Sequence, residues 1–118
     1  MGLVRKTVDP RELLCDFDFP HDRYRQRRGP RLGPLWVTLR TCQLRPQHVE
    51  YRRTRKGWHV VIRVRHALEP AEQVAVQAVL GSDRRREGLN LMRVLCMRRM
   101  GADRFWRIRW NLLFARKL

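Results

Sequence analysis

Acid is scarce in this sequence. Asp and Glu together number 11 against 27 Lys and Arg in 118 residues, a formal charge of +16. Lysine is scarce too: apart from Lys6, Lys56 and Lys117, every cation is an arginine. Such an imbalance excludes an ordinary near-neutral surface and attracts polyanions. Arginine's planar fork suits phosphate and can stack on bases, so nucleic acid is the expected partner. Arginine-rich codon usage and an acidic protein partner are the competing explanations. The cations run through the whole chain and are not confined to a tail, which favours nucleic acid.

Other absences narrow the field. No apolar run approaches the roughly 20 residues of a membrane span, and "MGLVRKTVDP" has no apolar signal core, so an intracellular, cytoplasmic protein with no membrane partner is expected. Cys15, Cys42 and Cys96 are odd in number and widely spaced, which fits neither a disulfide framework nor a zinc knuckle; they read as buried thiols. There is no Walker loop, no dinucleotide glycine motif and no Ser/His/Asp order, which leaves hydrolase and redox chemistry without a basis. No internal repeat is visible, and the length suits a single domain over 1–118.

What is present is a succession of short periodic segments. Residues 1–10 read as a flexible arm ended by Asp9-Pro10. "ELLCDFDF" alternates, with Leu13, Cys15, Phe17 and Phe19 on one side and Leu14, Asp16 and Asp18 on the other, which predicts a half-buried strand stopped by Pro20. Residues 20–33 read as a basic loop. Leu35, Leu39 and Cys42 have helical spacing between Pro34 and Pro46, with strand as the alternative. "HVEYRRTRKGWHVVIRVR" predicts a hairpin turning at Gly57, with Trp58, Val60, Ile62 and Val64 on the apolar face. Two helices follow, one with a stripe of Val74, Ala75, Ala78 and Val79, the other with Leu89, Met92, Leu95 and Cys96. "RFWRIRWNLLFARK" predicts a last strand.

The order β-α-β-β-α-α-β predicts an α+β fold with a ferredoxin-like or RNA-recognition-type sheet. Helices should cover one face and leave the other open, with the first and third strands adjacent. If Cys15 and Phe17 face the helices, Asp16 and Asp18 face outward, and the same alternation turns His59 and Arg63 outward from the third strand. Two carboxylates two residues apart can hold magnesium or manganese through oxygen, and His59 suits a phosphate contact.

"DFDFP", "TRKGWHVVI" and "GSDRRREGLN" together resemble the three ordered motifs of the archaeo-eukaryotic primase superfamily, which includes primase-polymerases and bacterial ligase-associated polymerase domains. The resemblance covers about residues 12 to 90. It implies Asp16, Asp18 and Asp83 as metal ligands, His59 as a nucleotide-phosphate contact, and Asp16, Asp18 and His59 as the catalytic set of a metal-dependent nucleotidyltransferase. Position 57 is glycine where many members have serine, and Asp83 falls between two predicted helices where the family carries its acid at a strand. Each acid also has an ordinary explanation: ion pairing on a solvated strand for Asp16 and Asp18, and a helix cap for Asp83.

The functional expectation is a protein that binds single-stranded DNA or RNA in the replication of a virus, plasmid or mobile element, on a primase-like core. A minimal catalytic primase-polymerase and a basic protein docking an acidic partner are the alternatives. Tyr24 among Arg23, Arg25, Arg27 and Arg28 is the expected stacking platform, and the four tryptophans read as core. Arg53, Arg55, Lys56, His59, Arg63, Arg84 and Arg85 complete the expected nucleic-acid contacts. Nothing in the pattern fixes an oligomeric state.

Overall fold

The computed structural model describes residues 2–5, 9–99, 110–111 and 113–115. In chain order the elements are β1 (Gly2–Arg5), β2 (Glu12–Asp18), α1 (Arg23–Arg28), α2 (Leu32–Thr41), β3 (Pro46–Arg53), β4 (Gly57–Val64), α3 (Pro70–Val79), α4 (Arg84–Arg99) and β5 (Leu113–Ala115). The fold is α+β. A three-stranded antiparallel sheet has the order β2-β4-β3, and β1 pairs with β5 in a separate two-stranded sheet.

The alternation in β2 and β4 sets the sheet. Leu13, Cys15 and Phe17 share a face with Val60, Ile62 and Val64, and that face buries against Leu35 and Leu39 of α2 and Leu80 at the end of α3. Burial pushes the Cys15 thiol up, which keeps it protonated and unreactive. The β3–β4 hairpin closes through the Thr54 N–H, which donates to the Gly57 carbonyl at 2.8 Å. A Cβ at Gly57 would lie 1.7 Å from the Phe17 carbonyl oxygen. Only glycine lets β2 approach β4 there, which accounts for the absence of a serine.

The outer edge of β2 is closed by side chains. The Leu14 N–H donates to Gln77 Oε1 at 2.9 Å, and the Asp16 N–H donates to Ser82 Oγ at 2.9 Å. The Glu12 carbonyl accepts from Gln73 Nε2 at 2.8 Å, the Leu14 carbonyl from Arg86 at 2.6 Å, and the Asp16 carbonyl from the Asp83 N–H at 2.6 Å. Every outward-facing backbone group of residues 14 and 16 is thus satisfied from the α3–α4 hairpin. A partner strand has nothing left to pair with along this stretch.

Several expectations are corrected. Residues 2–5 form a strand, not part of a flexible arm, because they find β5 as a partner. The basic loop of 20–33 contains a helix, α1, because Asp22 caps it: its Oδ1 accepts from the Arg25 N–H at 3.0 Å. Helix α3 buries Gln73, Val74 and Gln77, and leaves Ala75, Ala78 and Val79 exposed, since its inward face must supply polar partners to β2. Helix α4 likewise buries Glu87, Asn90 and Val94, while Leu89, Met92, Leu95 and Cys96 are exposed. Cys42, the C-cap of α2, is exposed too. The second face of the sheet is not open: Leu14, His59 and Val61 are buried on it, and β5 lies beside β2. The expected last strand falls mostly outside the described residues; its described part is Trp110, buried against Val74 and Val94, then Asn111 and β5. No helix among the described residues is long and apolar enough to cross a membrane.

Candidate nucleic-acid interface

One end of the three-stranded sheet gathers cations from separate parts of the chain. Helix α1 is anchored there by its backbone: Trp58 Nε1 donates to the carbonyls of Arg25 and Gln26, both at 3.1 Å. Gly29, at φ 91°, ends the helix over the Trp58 indole. Gln26 Nε2 adds a bond of 2.7 Å to the Phe19 carbonyl. Trp58 and Gln26 spend the inward side of this one-and-a-half-turn helix, so Arg23, Arg27 and Arg28 are left exposed. Tyr24 is 66 % exposed with the Arg25 guanidinium 5.9 Å from its ring centre, a cation set over an aromatic face.

The β3–β4 tip adjoins this helix. The Phe19 N–H donates to the Lys56 carbonyl at 2.8 Å, which ties the approach to α1 to a tip carrying exposed Arg53, Arg55 and Lys56. The start of α4 is held beside β2 by the Asp83–Asp16 backbone bond and brings exposed Arg84 and Arg85. Arg23, Arg27, Arg28, Arg53, Arg55, Lys56, Arg84 and Arg85 have no carboxylate partner among the described residues. Arg63 is placed differently. It sits near the far end of β4 and reaches Asp9 Oδ2 at 3.1 Å, so a phosphate would have to displace that carboxylate. The Arg11 N–H and Arg63 hold the Asp9 carboxyl below its usual range.

Asp16 and His59 are directly opposite in the β2–β4 register, with Asp18 opposite Gly57, so the expected same-face placement of the two acids and the imidazole is observed. Their environment is not a solvated surface. His59 is 3 % exposed and the Asp16 side chain 23 %. His59 Nε2 lies 3.6 Å from Asp16 Oδ1, beyond hydrogen-bond length, and among the described residues His59 Nδ1 has no hydrogen-bond partner. Burial, with the Asp18 charge behind it, pushes the Asp16 carboxyl up to about 7. Burial, with Arg86 and Arg52 nearby, lowers His59 to about 4. Near neutral pH the imidazole is uncharged, so His59 as placed lacks both the exposure and the charge for the expected phosphate contact.

Asp83 carries out the cap: its Oδ2 accepts from the Arg86 N–H at 3.0 Å at the start of α4. Asp16, half-buried and beside the imidazole, Asp18 at the exposed end of β2 and the capping Asp83 do not form, among the described residues, a group of three donors arranged to hold a metal ion.

A buried polar seam behind Asp16 was not legible beforehand. Gln77, fully buried, donates to Glu87 Oε1 at 2.8 Å and accepts from Asn111 Nδ2 at 2.7 Å. Ser82 Oγ donates to Glu87 Oε2 at 2.6 Å, and Asn90 Nδ2 reaches Glu87 Oε1 at 3.1 Å. Arg86 pairs with Glu87 and donates to Asn111 Oδ1 at 2.6 Å. Of the three consecutive arginines at the head of α4, two face solvent and the third is structural. The only prior signal was a glutamate next to an arginine run, which reads as surface charge in any arginine-rich helix.

The chain matches no protein-family model, no curated protein and no solved structure.

Proposed function

We propose that the protein binds single-stranded nucleic acid through the basic end of its three-stranded sheet. One observation carries the reading: α1, with its exposed Tyr24, the β3–β4 tip and the start of α4, distant in sequence, bring exposed cations without carboxylate partners among the described residues to the same end of the sheet. Single strands are held by this combination, a cationic track for the backbone and an aromatic platform for bases, each stacked base contributing about 1–3 kcal/mol. Binding of this kind is largely electrostatic and weakly sequence-dependent, and its affinity falls steeply with salt.

The strand order β2-β4-β3 is that of the first three strands of a ferredoxin-like sheet, which supports a core related to the primase-like one that the motifs suggest. The nucleotidyltransferase alternative draws on the same-face placement of Asp16, Asp18 and His59. It needs an open carboxylate cluster, whereas Asp83 is spent on the α4 cap and Asp16 is half-buried beside an uncharged imidazole, so the geometry favours binding without catalysis. Fluorescence anisotropy with labelled DNA and RNA single strands, titrated at low and moderate salt, tests the reading. Saturable binding that weakens as salt rises is the expected result, and no binding to either strand at low salt would overturn it.

A further inference from the structure

A second concentration of arginine lies at the opposite end of the same sheet. The end of α2, the turn that leads into β3 and the residues that follow β4 border an open cavity of about 560 Å³, lined by Arg40, Gln43, Leu44, Arg45, Arg65 and His66. It is set off from the hairpin tip by the length of β4, roughly 23 Å at about 3.3 Å per residue. The walls are fixed by backbone bonds: the Arg65 N–H donates to the Arg45 carbonyl at 2.9 Å and the Leu44 N–H to the Leu39 carbonyl at 2.8 Å.

The cavity has the electrostatics of an anion site. No acidic residue lines it, and Arg40, Arg45 and Arg65 have no ion pair among the described residues. Three like charges around one concavity repel, and a bound polyanion would relieve that repulsion. The carbonyl end of α2 opposes an anion, but only with about half an elementary charge, and the Thr38, Leu39 and Arg40 carbonyls are already bonded. Gln43 supplies a second, independent sign. It holds φ 58° at the turn that closes α2, a position where glycine is the usual and less strained occupant. Gln43 lines the cavity from that position, at a backbone cost of about 1 kcal/mol.

We propose that this cavity binds a free polyphosphate group, the tri- or diphosphate of a small molecule such as a nucleotide. A volume inside the usual range of roughly 300–1,000 Å³ for small-molecule sites is far larger than one phosphate needs. Three guanidinium groups match the charge of a chain of phosphates better than that of a single one, and arginine forks bond such oxygens in pairs. Leu44 and His66 line the cavity beside the arginines, where the group that carries the phosphates would lie. The assignment does not depend on the nucleic-acid reading, because it uses none of the same residues.

Calorimetric titration of the full chain with inorganic tripolyphosphate, with orthophosphate for comparison, tests it. Tripolyphosphate should bind with one-to-one stoichiometry and more tightly than orthophosphate. The Arg45→Gln/Arg65→Gln variant, with its thermal midpoint checked, should bind it weaker by about tenfold or more per guanidinium removed, whereas Arg53→Gln/Arg55→Gln at the other end should bind as the wild type does. Equal affinity in all three proteins, or no binding to the wild type, would overturn the proposal. An oligonucleotide added to saturation in the Arg53→Gln/Arg55→Gln background should leave tripolyphosphate bound. Its one-for-one displacement would assign the cavity to the strand backbone and reject the small-molecule site.

Discussion

The sheet's basic end and the seam along β2 are both rich in charge, yet they use it in opposite ways. At the basic end α1 spends its backbone and Gln26 on Trp58 and Phe19, and its charged side chains are left for solvent and ligand. In the seam Arg86 and Glu87 are almost fully withdrawn from water and are consumed in holding α4 to β2. Buried charge of that kind cannot serve a partner, and exposed charge of the first kind contributes little to stability. The comparison teaches that the +16 excess is not one functional quantity: neighbouring arginines in "RRRE" belong to different jobs.

The largest effect should come from breaking the seam. Arg86→Met removes the partner of buried Glu87 and the donor to Leu14 and Asn111, and should cost about 3–5 kcal/mol in urea unfolding. Arg85→Met, one residue away and exposed, should stay within about 0.5 kcal/mol of the wild type. Similar losses at both positions would erase the distinction between the two regions.

The Asp16–His59 contact sharpens it through pH. Asp16, raised from 3.8 to about 7, contributes stability that is complete below its ordinary pKa and is lost as pH rises from about 4 to 7. His59, lowered from 6.5 to about 4, contributes stability that is present above 6.5 and is lost as pH falls toward 4. Between about pH 4 and 6.5 the two slopes oppose and largely cancel in the wild type. Asp16→Asn should leave stability rising with pH relative to the wild type, and His59→Gln should leave it falling, each by up to about 1.4 kcal/mol per pH unit. Urea midpoints at pH 4.5, 5.5 and 6.5 read this directly; curves parallel to the wild type in both variants would show that the pair is not buried as described.

A smaller effect is expected at the basic end. Tyr24→Ala should weaken single-strand binding by about 1–3 kcal/mol and leave the unfolding midpoint unchanged, since the ring touches little else. Unchanged affinity would remove stacking from the account.

Local pattern made the strands legible. The alternation of Leu13, Cys15 and Phe17, and of Val60, Ile62 and Val64, placed the right residues in the core and set Asp16 and His59 on one face. It could not report what lay over that face, because burial of Leu14 and Val61 depends on elements distant in sequence. Helical periodicity failed in α3 and α4 for a specific reason. Apolar residues were expected inward, but the edge of β2 demands hydrogen bonds, so Gln73, Gln77, Glu87 and Asn90 were drawn in and Val79 and Met92 pushed out. Asp22 held a visible capping signal three residues before Arg25, hidden by the density of arginine around it. The cavity of Arg40, Arg45 and Arg65 gave no local sign, since its walls meet only when β3 and β4 pair.

The most direct test of the basic end is a charge-matched comparison of salt slopes. Arg53→Gln/Arg55→Gln at the β3–β4 tip and Arg98→Gln/Arg99→Gln at the far end of α4 each remove two charges from the same net total. The log of single-strand affinity against the log of salt should lose about 0.7 of slope per charge removed at the tip and almost none for the α4 pair. Equal loss from both pairs would mean that the chain binds as a diffuse polycation, with no interface at that end of the sheet.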